Sequence, residues 1–184
     1  MKINKITLVA LSLVFCLSNV NAQIFDPFID SIVSTCSYDT IVKNLQEFQD
    51  LGVKEVGTSA LENTNLWLQN KYKNLGYNSI EKDTFYFAND TLVNLIITKP
   101  GSSADDKVLI VCGHYDTRTG PGVNDNGSGI VTILEVARLI YNLELDFTVK
   151  FINFSAEEDG LIGSYHYVEN ILPQSELNIF LVFN

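Results

Sequence analysis

The chain has 184 residues, a formal charge of −10, 46% hydrophobic residues and three cysteines. The acid excess argues against nucleic acid and anionic membrane surfaces as partners. Three cysteines, one of them in the leader described next, are too few for a disulfide scaffold.

Residues 1–22 read as a signal peptide. Lys2 and Lys5 give a positive start, residues 6–17 form an apolar run too short to span a bilayer, and Val20-Asn21-Ala22 offers a cleavage site before Gln23. A buried N-terminal helix is the plain alternative. A lipoprotein signal ending at Cys16 is disfavoured by the bulky Phe15 before it. No second apolar run is long enough for a span. The expected product is therefore exported, secreted or periplasmic, with no membrane span after cleavage. Residues 23–184 then make one domain with ten basic and 22 acidic residues, a balance of −12.

Periodicity predicts a helix over 38–51, with Ile41, Leu45 and Phe48 on one face and Gly52 as its stop. A second helix is predicted over 59–75, opened by a Ser59–Glu62 capping box and closed by Gly76. Its apolar face is Leu61, Leu68, Tyr72 and Leu75. Strands at 84–87 and 92–98 flank the turn Ala88-Asn89-Asp90. After the loop 99–103, residues 108–112 are continuously apolar, as in a strand covered on both faces. A nearly all-apolar helix over 128–142 has only a narrow polar stripe of Ser128, Thr132, Glu135, Arg138 and Asn142, so it must be well buried. A strand at 147–154, a helix at 161–171 and a strand at 177–183 complete the pattern. Strand, helix, strand, helix, strand from residue 108 onward implies an α/β sheet between helices. Cys112 reads as a buried thiol, and export would permit a Cys36–Cys112 bridge.

Three motifs place metal-type donors where predicted strands end: Gly113-His114-Tyr115-Asp116, then Pro121-Gly122-Val123-Asn124-Asp125-Asn126-Gly127-Ser128-Gly129, then Ala156-Glu157-Glu158-Asp159-Gly160. Imidazole and carboxylate are usual zinc ligands, and α/β sheets bind ligands off the carboxyl ends of their strands. His114 alone reads more readily as structural. Asp116, two residues on, can accept the imidazole's other N–H and fix its tautomer. Asp125 sits in a glycine-rich turn where Asn126 or Ser128 suits the helix cap better, and its two oxygens can bridge two metals. Gly127 and Gly129 would let the backbone pack closely behind it. Glu157 and Glu158 are adjacent and point different ways on an extended segment, so one can hold metal while the other faces the substrate water. The bland reading of those two is a solvated acidic loop. Asp159 and His166 are runners-up, and His166, between two tyrosines in a predicted helix, is read as structural.

These motifs, in this order and spacing, resemble the co-catalytic zinc exopeptidases of metallopeptidase family twenty-eight, the secreted leucyl aminopeptidase and glutamate carboxypeptidase type. The resemblance extends to Leu75-Gly76-Tyr77, Val93-Asn94-Leu95-Ile96 and Leu161-Ile162-Gly163-Ser164. It implies a three-layer, phosphorylase/hydrolase-like mixed sheet between helices. It implies two Zn²⁺ ions: His114 on one, Asp125 bridging, Glu158 on the second. Glu157 becomes the general base and acid, and Asp116 the residue orienting His114. The Asp125–Asn126 peptide is cis in relatives. The implied substrate is a peptide or protein with a free N-terminus. The family also uses an aspartate after the strand at 177–183 and a much later histidine, so the remaining ligands are expected beyond Asn184. Residues 23–184 are then the N-terminal part of a zinc peptidase catalytic domain, with its C-terminal part missing, and the strand 177–183 is left as an apolar edge. The alternatives are a non-catalytic relic or binding module of the same fold, a carboxypeptidase, or a relative of the glutaminyl cyclase type.

Overall fold

The structure is a computed structural model describing residues 25–103 and 107–184. The expected signal peptide lies outside the described residues. Among these, no helix is long and apolar enough to cross a membrane. They fall into two units, one ending at Thr35 and the other spanning Cys36–Asn184. The first contains a short helix α1 (Pro27–Val33) that the periodicity did not predict. Asp26 caps it by accepting from the Phe28 amide at 2.8 Å, and Pro27 opens its first turn.

In the second unit, α2 is Tyr38–Asp50 and α3 is Ser59–Asn74. The cap of α3 differs from the expected box. Ser59 already has helical geometry, and Thr58, with extended φ −102°, is the residue whose hydroxyl accepts from the Leu61 amide at 3.3 Å. The expected stop is present. Gly76 takes φ +100°, its N–H bonds the Lys73 carbonyl at 2.9 Å, and Tyr77 N–H reaches back to Tyr72 O at 3.0 Å. That is the paired C-terminal closure that a left-handed glycine permits.

The strands β1 (Ile80–Phe87) and β2 (Asp90–Lys99) form a hairpin whose two loop residues, Ala88 and Asn89, both have positive φ. A two-residue turn of this hand matches the natural twist of paired strands. β3 is Lys107–His114, α4 Ser128–Ile140, β4 Thr148–Phe154 and β5 Asn178–Phe183. Between β4 and β5 the chain is helical in pieces: α5 (Ile162–His166), a wider turn Tyr167–Ile171, and α6 (Leu172–Ser175). The sheet order is β1-β2-β4-β3-β5. β1/β2 and β2/β4 are antiparallel, β4/β3 and β3/β5 parallel. This is the mixed sheet between helices that the sequence predicted.

One face of the sheet carries a large core in which Phe48, Leu68, Tyr72, Ile130, Ile133 and Leu134 pack on Leu95, Ile97, Val149 and Phe151. The other carries a smaller one, with Ile96, Val108, Ile110 and Ile152 under Tyr167. Both faces of β3 and β4 are thus covered, which explains the unbroken apolar run 108–112 of β3. Phe180, Leu181, Val182 and Phe183 of β5 are about half exposed, so this edge strand is apolar as expected. Cys36 and Cys112 are both free thiols, so the permitted bridge is not formed. Burial pushes the Cys112 thiol up to about 11.

Candidate metal and catalytic site

The parallel register pairs His114, the last residue of β3, with Phe154, the last of β4. Tyr115 N–H continues the ladder to Phe154 O at 3.0 Å. The two chains therefore leave the sheet side by side, and the three motifs converge on this edge.

His114 is 9% exposed. Its Nε2 lies 3.1 Å from Asp125 Oδ1 and 3.6 Å from Glu157 Oε2. Its Nδ1 lies 3.2 Å from the backbone carbonyl of Asp116 and 3.6 Å from that residue's carboxylate. The carbonyl, rather than the carboxylate, is thus the closer partner of the imidazole. The carboxylate does something the sequence reading did not foresee. Oδ1 accepts from the Glu157 amide at 3.1 Å and Oδ2 from the Glu158 amide at 3.0 Å. Asp116, 2% exposed, thereby fixes the backbone of both glutamates from beneath.

The electrostatics fit an anionic site around one imidazole. Burial pulls the His114 pKa down, but the carboxylates of Asp116 and Glu157 outweigh it and raise the value to about 9. Glu158 is held above the usual carboxylate range by burial and by the neighbouring charge of Asp125. Crowded carboxylates beside an imidazole are the donor set a divalent cation relieves. The arrangement is a partial one: among the described residues, no three His, Cys, Asp or Glu side chains gather into a ready metal shell.

Asp125 is placed by an unusual loop. Gly122 opens it with φ +63°, Asp125 itself is extended, and the Asp125–Asn126 peptide is cis, as the resemblance implied. A Cβ on Gly122 would stand 2.1 Å from the Thr117 methyl, and one on Gly129 would stand 2.1 Å from Asn126 Oδ1. Asn126 Oδ1 accepts from the Gly129 amide at 3.1 Å, so Asn126 serves the start of α4, as the capping argument expected. Ser128 instead bonds back to the Asn124 carbonyl at 2.6 Å. The Asp125 side chain, not needed for the cap, projects largely exposed onto His114 Nε2 at 3.1 Å.

The loop after β4 turns through left-handed residues Ala156, Gly160 and Leu161. Its two ends meet, with Gly163 N–H on Ser155 O at 3.1 Å. Asn94, fully buried on β2, spans the join: Oδ1 accepts from Ser155 N–H at 3.1 Å, and Nδ2 donates to Gly163 O at 2.9 Å and Asp83 Oδ2 at 2.8 Å. Asn94 and Asp83 were not singled out as site residues. Their signal is a polar side chain repeated inside otherwise apolar or alternating strands.

The runners-up are engaged elsewhere. Asp159 pairs with Arg118 at the rim. His166 Nε2 lies 2.9 Å from Asp83 Oδ1, and its ring stacks on Phe85 at 4.9 Å. That is the structural role expected of it. Glu55, Val56, Asp116, Thr117, Arg118, Glu158 and Asp159 line a small cleft of about 110 Å³ at the site. A larger cleft of about 300 Å³ reaches Tyr115 from the side of Leu61, Asn65 and Leu92.

Residues 94–184 match the model of peptidase family M28. The Bacillus subtilis aminopeptidase YwaD is 43% identical over 101 residues, which cover 52% of this chain and 22% of that protein. Among solved structures, LapB from Legionella pneumophila superposes with a TM-score of 0.71 at 24% identity, over 85% of this chain and 45% of that one. A glutaminyl cyclase from Fimbriiglobus ruber superposes with a TM-score of 0.66 at 21% identity, over 80% of this chain and 59% of that one. The chain thus spans about a fifth of the length of the curated relative.

Proposed function

With residues 94–184 belonging to peptidase family M28, we propose that the chain carries part of a zinc aminopeptidase site that hydrolyses N-terminal peptide bonds. The observation that carries the reading is His114 Nε2 standing 3.1 Å from Asp125 Oδ1 and 3.6 Å from Glu157 Oε2, where the parallel strands β3 and β4 end side by side. The aminopeptidase names of the curated relatives favour this substrate class.

His114 Nε2, Asp125 and Glu158 are the groups that would hold the metals. Two zinc ions supply Lewis acidity and lower the pKa of water toward neutrality. Everything else falls to the chain. Asp116 holds the imidazole carbonyl-first and anchors the amides of Glu157 and Glu158. Glu157, a third exposed and paired among the described residues with no cation besides His114, takes the proton of the attacking water and returns it to the leaving amine. Three ligand residues are too few to complete two zinc shells. We propose that further donors come from chain beyond Asn184, so that the 184 residues bind zinc weakly and turn over little. Export by residues 1–22 belongs to the same reading.

The test is a chain extended past Asn184, assayed on aminoacyl-p-nitroanilides with zinc and after chelation. Zinc-dependent release is expected, and Glu157→Gln is expected to lower kcat by about 10²–10⁴-fold while zinc stays bound. Unchanged turnover in that variant would refute the general-base role. A second reading is favoured by the glutaminyl cyclase likeness, which concerns the fold. An N-terminal glutaminyl peptide cyclised in preference to hydrolysis of the anilides would favour it. Zinc binding with neither activity would favour a binding module.

A further inference from the structure

Lys54, in the segment joining α2 to α3, is a lysine with no exposed surface. Its ammonium donates to Gly52 O at 2.7 Å and Pro121 O at 3.0 Å, and stands 3.8 Å from the centroid of the Phe48 ring. Among the described residues no carboxylate lies within ion-pair distance of it. Burial lowers its pKa to about 8. A buried ammonium without a counter-charge is expensive, and an apolar side chain of equal length would fill the space at less cost. What an apolar side chain lacks is the donor aimed at Pro121.

The main chain of Lys54 grips the neighbouring motif as well. Its N–H donates to Thr117 Oγ1 at 2.9 Å, and Thr117 N–H donates to Lys54 O at 3.2 Å. Phe48, beneath the ammonium, is also the ring against which a Cβ on Gly127 would press at 2.8 Å. One residue therefore touches the turn after β3, which follows His114, and the loop from Pro121, which leads to Asp125.

We propose that Lys54 is a positioning residue for the metal site, its ammonium fixing the 121–125 segment against the 114–117 turn and so setting the separation of Asp125 from His114. The inference rests on the zinc reading above, but the clamp exists without metal and can be read without it.

Hydrogen exchange in the zinc-free chain tests the clamp first. The reporter is the Gly127 amide, bonded to Gly122 O at 2.8 Å. Lys54→Met keeps the packing on Phe48 and removes the donors. Its Gly127 exchange is expected to rise at least tenfold, with amides of β1 and β2 unchanged. Lys54→Gln, which keeps one donor, is expected to fall between, and it serves as the test if the Met variant fails to fold. Zinc affinity, read by competition with a chromophoric chelator, should weaken about 10–100-fold in the Met variant, as for other residues that orient ligands. Exchange that rises equally everywhere, or not at all at Gly127, overturns the clamp. Local loosening with unchanged zinc affinity overturns the positioning role. A wild-type chain extended past Asn184 that still binds no zinc sinks the zinc reading instead, and the Gly127 contrast then decides the clamp alone.

Discussion

The two loops that present carboxylates to His114 are held by opposite means. The loop after Pro121 is shaped sterically. Gly122, Gly127 and Gly129 have no room for a Cβ, with Thr117 and Phe48 crowding two of them, and Lys54 adds a single hydrogen bond to Pro121 O. The loop after β4 is shaped by hydrogen bonds to its backbone. Asp116 takes the amides of Glu157 and Glu158, and Asn94 takes Ser155 and Gly163. The difference teaches that a projecting carboxylate can be aimed either by close packing around glycine or by buried polar side chains that replace water. The first is sensitive to volume, the second to the loss of a donor or acceptor.

Breaking the polar loop should give the larger effect. Asn94→Ala strands the fully buried Ser155 amide and removes one bond each from Gly163 O, which keeps the Tyr167 amide, and from Asp83, which keeps His166. The orphaned amide costs about 1–3 kcal/mol and each of the two lost bonds about 0.5–1.5 kcal/mol, so a loss of about 2–6 kcal/mol is expected in denaturant unfolding. A loss under about 1 kcal/mol would mean that water replaces the amide there. On the steric loop, Gly122→Ala must accept φ +63° and a contact on Thr117. The expected cost is about 1–3 kcal/mol. Pairing it with Thr117→Ser, which removes the offending methyl, should recover part of that loss and so separate clash from backbone strain.

The smallest effect is a pH slope that sharpens the comparison. His114 has its folded pKa raised to about 9 from 6.5. Its contribution is fully present below pH 6.5 and is lost as pH rises through 9. Lys54 is depressed to about 8 from 10.5, so the unfolded chain binds the extra proton between those values and stability rises with pH there. The zinc-free protein should therefore weaken from pH 6.5 to 8, hold level from 8 to 9, and regain stability from there toward 10.5. Lys54→Met should keep weakening to pH 9. Identical urea midpoints for the two proteins' pH dependence would contradict these assignments.

Much of this was legible in the sequence because the signals were local. The apolar run of β3, the glycine after α3 and the narrow polar stripe of α4 each state a local pattern within a few residues. His114 and Glu157 could be read as neighbours because they lie at or just past strand ends, and Asp125 because its glycine-rich turn opens the next helix. What was illegible depended on contacts across the chain. Thr58 rather than Ser59 caps α3 because of a backbone angle that both residues can adopt. The carboxylate of Asp116 turned to amides 41 and 42 residues away rather than to the imidazole two residues before it. Lys54 looks like any surface lysine until Pro121 and Phe48 close over it. The turn after β1 was one residue shorter than read, because Asp90 pairs with Phe87 and joins β2.

The parallel pairing of β3 with β4 has a kinetic consequence. The β1–β2 hairpin needs only a two-residue turn and can close within microseconds. β3 and β4 meet only after a crossover of 33 residues that includes α4, and β5 reaches β3 later still. Non-local parallel pairing is slow because loop-closure entropy is spent before contacts repay it. His114 and Glu157 lie on either side of that crossover. The hairpin and α3 rest on local contacts, whereas bringing Glu157 to His114 needs the non-local β3–β4 pairing and is expected to be slower.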